Sequence, residues 1–184
     1  MPGHGAVTRG RVGLLSTHAA GRVLVRGKSP HLLDWRFMNP SGYPQCMAVF
    51  LFKTEPSTYS FVNLVRDKRT TWDGVSNPLA LKHLREVRKG DTVVIYHTGD
   101  EKSAVGLATA ASDPYPDPKA GDPKLVVVDL KPLRGLRSPV SLADFRSDPV
   151  LKTADLTRLP RLSVMPLTAA QFKRLLQHAE TTPP

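Results

Sequence analysis

From residue 47 onward the apolar positions fall into short runs with regular punctuation between them. Residues 47–53 (MAVFLFK), six apolar residues closed by Lys53, predict a first strand. Ser60 stands where an N-cap belongs and opens a short helix through Asp67. The stretch 70–77 (TTWDGVSN) reads as a loop. Asn77 followed by Pro78 is a cap with proline at the first helical position, and Leu81, Leu84 and Val87 lay an apolar stripe along the helix that follows, with Gly90 as its stop. Two strands, 92–98 and 103–112, flank the turn sequence GDEK and predict a hairpin. A proline- and aspartate-rich surface loop over 113–123 leads to a strand at 124–133. Ser141 with Asp144, and Thr168 with Gln171, have capping-box spacing for a short helix and a C-terminal helix, with a last strand at 161–166 between them. Five strands with scattered helices and no strict alternation predict an α+β fold around a small curled antiparallel or mixed sheet.

The first 46 residues break this pattern. They hold six basic residues against one acid, about half of the formal charge of +10, and seven of the 13 glycines, with no sustained period of 2 or 3.6. This composition predicts a disordered basic extension preceding a domain at 47–178, with a short tail over 179–184. A start site at Met47, a basic arm that holds phosphate, and a targeting segment are three readings of the extension.

Composition narrows the chemistry. No apolar run approaches the roughly 20 residues that span a bilayer as a helix, so no membrane partner is expected. A lone cysteine, Cys46, excludes an internal disulfide and points to a reducing, cytoplasmic compartment. A pI near 10.0 favours polyanionic partners. The six histidines show no metal-ligand spacing, and neither a nucleophile elbow, a Walker loop nor a dinucleotide fingerprint occurs, so no metal, cofactor or catalytic residue is assigned.

Polar and aromatic residues at strand ends and in loops remain. Trp72, in a polar loop, either plugs the core beneath it or shows a face to a planar ligand. Alternation sends Tyr96 and Thr98 to one side of their strand and His97 to the other, where a packing or rim histidine is the simpler reading. Lys53, Thr54 and Glu55 leave the first strand where backbone donors become free, yet read equally as surface residues. Glu55 and Asp73 are carboxylates that could meet in space.

Taken in order, FKTEPSTYSF (52–61), TWDGV (71–75) with Asn77, the GD of 90–91 before a strand ending in Tyr96-His97, VG (105–106), YPDP (115–118), VVD (127–129), PV (139–140) and RLSV with Pro166 resemble the EVE domain family. This family is related to PUA-like folds, YTH readers and ASCH domains. The resemblance spans residues 47–178. It implies a PUA-like curled mixed β-barrel of five to six strands flanked by short helices, with a pocket for an everted, modified base. Such a base is read by stacking on an aromatic face and by hydrogen bonds to its edge. By this resemblance Trp72 is the aromatic wall, and Lys53, Thr54, Asp73, Gly74, Asn77, Tyr96, His97, Thr98, Ser163 and Pro166 line the cavity or its rim. The implied partner of a monomeric chain is DNA carrying a modified cytosine, or RNA with a modified base. The competing expectation is a small-molecule or nucleoside-handling enzyme that uses the same pocket. Ser76 stands where many members carry arginine, and Met165 and Phe172 where glutamine and tryptophan are common.

Overall fold

The computed structural model describes residues 47–180, and the expectations for residues 1–46 and for the end of the chain lie outside these residues. Seven strands form one mixed sheet: β1 (Val49–Thr54), β2 (Thr70–Trp72), β3 (Thr92–His97), β4 (Ser103–Ala110), β5 (Tyr115–Pro116), β6 (Val126–Ser141) and β7 (Val164–Leu167). Five short helices flank it: α1 (Phe61–Asp67), α2 (Pro78–Glu86), α3 (Leu142–Ser147), α4 (Asp155–Arg158) and α5 (Ala169–His178). The strand order is β2-β6-β4-β3-β1-β7, with β5 paired to β6; β1 runs parallel to β3 and the other pairs are antiparallel.

The sheet curls strongly. Four strand spacings separate β2 from β1, which in a flat sheet would be about 19 Å. Yet the rings of Trp72 in β2 and Phe52 in β1 lie 5.5 Å apart, tilted by 52°. The ends of the path therefore come round to face each other as a half-barrel, the curled mixed sheet that the resemblance implied. Register shifts in β3 at Ile95/Tyr96 and in β4 on both sides of Gly106 supply bends. Gly106 also admits a ring: a Cβ there would lie inside the van der Waals envelope of Phe61, which packs across the strand from the start of α1. Leu51, Phe52, Val94, Ile95, Leu107 and Leu130 fill the interior, with Met165 and Phe172 buried beside them.

The helix starts follow the local chemistry. Ser60 accepts from the Asn63 N–H, Asn77 from the N–H groups of Leu79 and Ala80, and both capping boxes are closed in each direction. Elsewhere the structure corrects the sequence reading. Residues 70–72 are a strand rather than a loop, because they pair with Val128, Asp129 and Leu130. The strand expected at 124–133 continues to Ser141, and Tyr115–Pro116 inside the expected surface loop adds a two-residue strand. The 3-10 turn Leu151–Thr153 and α4 carry no side-chain cap to announce them.

Candidate functional site

A cavity of about 420 Å³ opens at the seam where β2 approaches β1. Mouths of curled sheets are common places for ligands. Lys53 and Thr54 line it from the end of β1, Trp72, Asp73 and Gly74 from β2 and the loop after it, and Ser163 from the segment entering β7. These six are among the residues selected from the sequence. Glu55, Thr58, Tyr59, Thr70, Thr71 and Val75 complete the lining. Of these, Glu55 was already singled out at the end of the first strand, and Thr58 and Tyr59 stand within the FKTEPSTYSF motif, a signal that could have found them. Thr71 and Val75 stand within the TWDGV motif, and Thr70 immediately precedes it.

Backbone geometry brings these elements together. The Lys53 N–H donates to the Ser163 carbonyl at 2.8 Å, closing β1 against the residue before β7, and the Thr98 N–H donates to the Thr54 carbonyl at 2.9 Å on the other side. The Glu55 carbonyl accepts from both Thr58 and Tyr59, forming the tight turn that supplies one wall. Gly74 has φ +75, a left-handed conformation that favours glycine where the chain turns from β2 toward α2.

The polar groups have defined roles. The Thr54 hydroxyl donates to the Tyr59 carbonyl at 2.7 Å, so toward any further partner Thr54 acts as an acceptor. Lys53 donates one ammonium hydrogen to the Pro160 carbonyl at 3.0 Å, and burial lowers its pKa. Burial raises the pKa of Tyr59, whose hydroxyl donates to Asp67 at 3.2 Å. Trp72 is only 8% exposed while lining the cavity, so one ring is both cavity wall and core. Behind β2, the buried Asp129 accepts from Arg69 at 2.6 Å, Thr71 at 2.8 Å and Tyr115 at 3.0 Å. Burial acts to raise the Asp129 pKa, but these hydrogen bonds outweigh it and hold the carboxyl below its ordinary value. At the mouth, Lys119 reaches back from the loop after β5 to Asp73 at 3.2 Å.

The other five residues selected from the sequence lie off this lining. The Asn77 side chain caps α2 and faces a neighbouring cavity. Tyr96 is 3% exposed, and burial raises its pKa. His97 is buried: its Nε2 accepts the Phe61 N–H at 2.9 Å, which fixes the Nδ1–H tautomer and directs that hydrogen to Glu101 at 2.6 Å. It thereby anchors the start of α1, next to the Thr58–Tyr59 wall. Thr98 lies 2.7 Å from the Glu55 carboxylate and braces it from behind. Pro166 faces outward on β7 at the end of the sheet, where a missing N–H is tolerated. Glu55 and Asp73 line the same cavity, with the Glu55 carboxylate held by Thr98 and that of Asp73 by Lys119. Among the described residues no group of three His, Cys, Asp or Glu side chains is arranged to hold a metal ion.

The EVE domain family matches residues 48–178. Human thymocyte nuclear protein 1 is 29% identical over 168 residues, covering 73% of this chain and 75% of that protein. A Rhodopseudomonas palustris protein solved by NMR is 35% identical with a TM-score of 0.70, covering 73% of this chain and 94% of that one. The human THYN1 protein, crystallised in complex with DNA containing 5-methylcytosine, is 28% identical with a TM-score of 0.67, covering 74% and 99%.

Proposed function

The chain belongs to the EVE domain family, and from that premise we propose that it is a nucleic-acid-binding module that holds one modified base, a modified cytosine in DNA, in the cavity at the β1–β2 seam. The observation that carries this reading is the lining itself. An indole wall stands beside an acceptor at Thr54 and ammonium donors at Lys53, within a space of about 420 Å³. A base everted from its stack is bound by one aromatic face and a few edge contacts, and this lining offers both. The complex of the human THYN1 protein with 5-methylcytosine-containing DNA supports the same reading. Lys53 adds positive charge at the cavity, where a phosphate flanking the base would pass. The cytoplasmic, monomeric state expected from the sequence belongs to this proposal.

Tryptophan fluorescence tests it. The chain has two tryptophans, Trp35 and Trp72, so a Trp35→Phe variant reports on the cavity alone. Titration with 5-methyl-2′-deoxycytidine monophosphate should quench that emission saturably, because the base stacks on the indole. Emission that stays flat while the nucleotide binds by calorimetry would place the base elsewhere and overturn the assignment.

A further inference from the structure

A second cavity, of about 310 Å³, adjoins the first and is lined by Asn77, Leu79, Leu159, Pro160, Arg161 and Leu162. Two chain segments run from one cavity into the other. Residues 72–75 line the first and Asn77 and Leu79 the second, while Leu159 to Leu162 line the second and Ser163 the first. Lys53 spans the partition, because its side chain lines the first cavity and its ammonium is bound to the Pro160 carbonyl of the second at 3.0 Å. The second lining is largely aliphatic. Leu79 is 40% exposed and Leu159 41%, so both present apolar surface at this cavity. No carboxylate lines this cavity, and Arg161 is exposed with no hydrogen bond or ion pair among the described residues.

We infer that this second cavity is the subsite for the nucleotide next to the everted base, with its base and sugar on Leu79, Leu159 and Pro160 and its phosphate on Arg161. The inference rests on the reading of the first cavity given above. Charge selects the occupant: an aliphatic floor edged by an unpaired guanidinium, with Lys53 at the seam, matches a strand whose apolar faces alternate with anionic phosphates. Leucine and proline are among the side chains that proteins place against base steps.

The test uses the full chain and three ligands: 5-methyl-2′-deoxycytidine monophosphate, a short single-stranded DNA carrying that base internally, and the same strand with abasic residues flanking it. The wild type should bind the intact strand more tightly than the mononucleotide and lose part of that gain on the abasic strand. In a Leu79→Ser/Leu159→Ser variant, whose thermal midpoint checks folding, the abasic strand and the intact strand should become equal. Arg161→Gln should lower the slope of log affinity against log salt by about one. An unchanged gain from the flanking bases in the leucine variant, or an unchanged slope in Arg161→Gln, overturns the subsite even where the modified mononucleotide binds. That pattern is also what a groove reserved for a protein segment would produce. Failure of the mononucleotide and of every strand to bind overturns both readings together.

Discussion

Trp72 and Phe52 meet ring against ring at 5.5 Å and 52°, across the seam between strands four places apart in the sheet order. The contact joins the cavity wall to the core, so the shape of the cavity and the stability of the fold are coupled at Trp72. Trp72→Ala should cost about 3–5 kcal/mol of stability by opening a cavity against Phe52. Trp72→Phe should keep most of it. Chemical denaturation of both variants checks this, and an alanine variant as stable as the parent would show that the ring contributes only to the ligand side.

A second contact shapes the bend of β4. The ring of Phe61 occupies the space that a side chain at position 106 would need. Gly106→Ala should therefore destabilise by about 1–3 kcal/mol through overpacking. Adding Phe61→Leu should return part of that loss, and a double-mutant cycle by urea denaturation measures the coupling.

His97 holds the N–H of Phe61 with Nε2 and directs Nδ1–H to Glu101. Its ring should give the Nδ1–H tautomer pattern in nitrogen NMR at neutral pH. His97→Phe leaves that buried N–H without an acceptor and should cost about 1–3 kcal/mol. An Nε2–H tautomer would contradict the geometry.

Much of this was legible along the chain and some was not. Caps at Ser60, Asn77, Ser141 and Thr168 were legible because the donor and acceptor lie within three residues of each other. The strand Thr70–Trp72 was not, since its pairing with residues near 129 is remote in sequence and its composition is that of a loop. In the cavity, Trp72, Lys53 and Ser163 followed from motif resemblance. The resemblance also selected Tyr96 and His97, which burial and hydrogen bonding draw into the interior. Only the pleat of β3 and its packing decide which side chains of a Tyr-His-Thr run reach a cavity.

The Asp148 carboxylate at the end of α3 is buried among His178 at 3.0 Å, Arg174 at 2.5 Å and the N–H groups of Val150 and Leu151. The hydrogen bond from His178 is the largest influence; with the other donors it outweighs burial and holds the Asp148 pKa far below the usual carboxylate range. A carboxyl depressed in the folded state contributes stability that is fully present above its unfolded pKa of about 4, and that is lost as pH falls further. Thermal midpoints should thus fall steeply on acidification below about pH 4, and Asp148→Asn should be less stable at neutral pH with a flatter acid limb. A variant whose acid limb parallels the parent's would remove Asp148 from the account.

The most direct test of the central claim is a binding panel at fixed salt, using DNA and RNA strands identical except for one base: cytosine, 5-methylcytosine, thymine or another modified base. The full chain should bind the strand with 5-methylcytosine in DNA more tightly than its cytosine counterpart, and Trp72→Phe should keep most of that preference. Equal affinities for all members of the panel, from a folded protein, would contradict it.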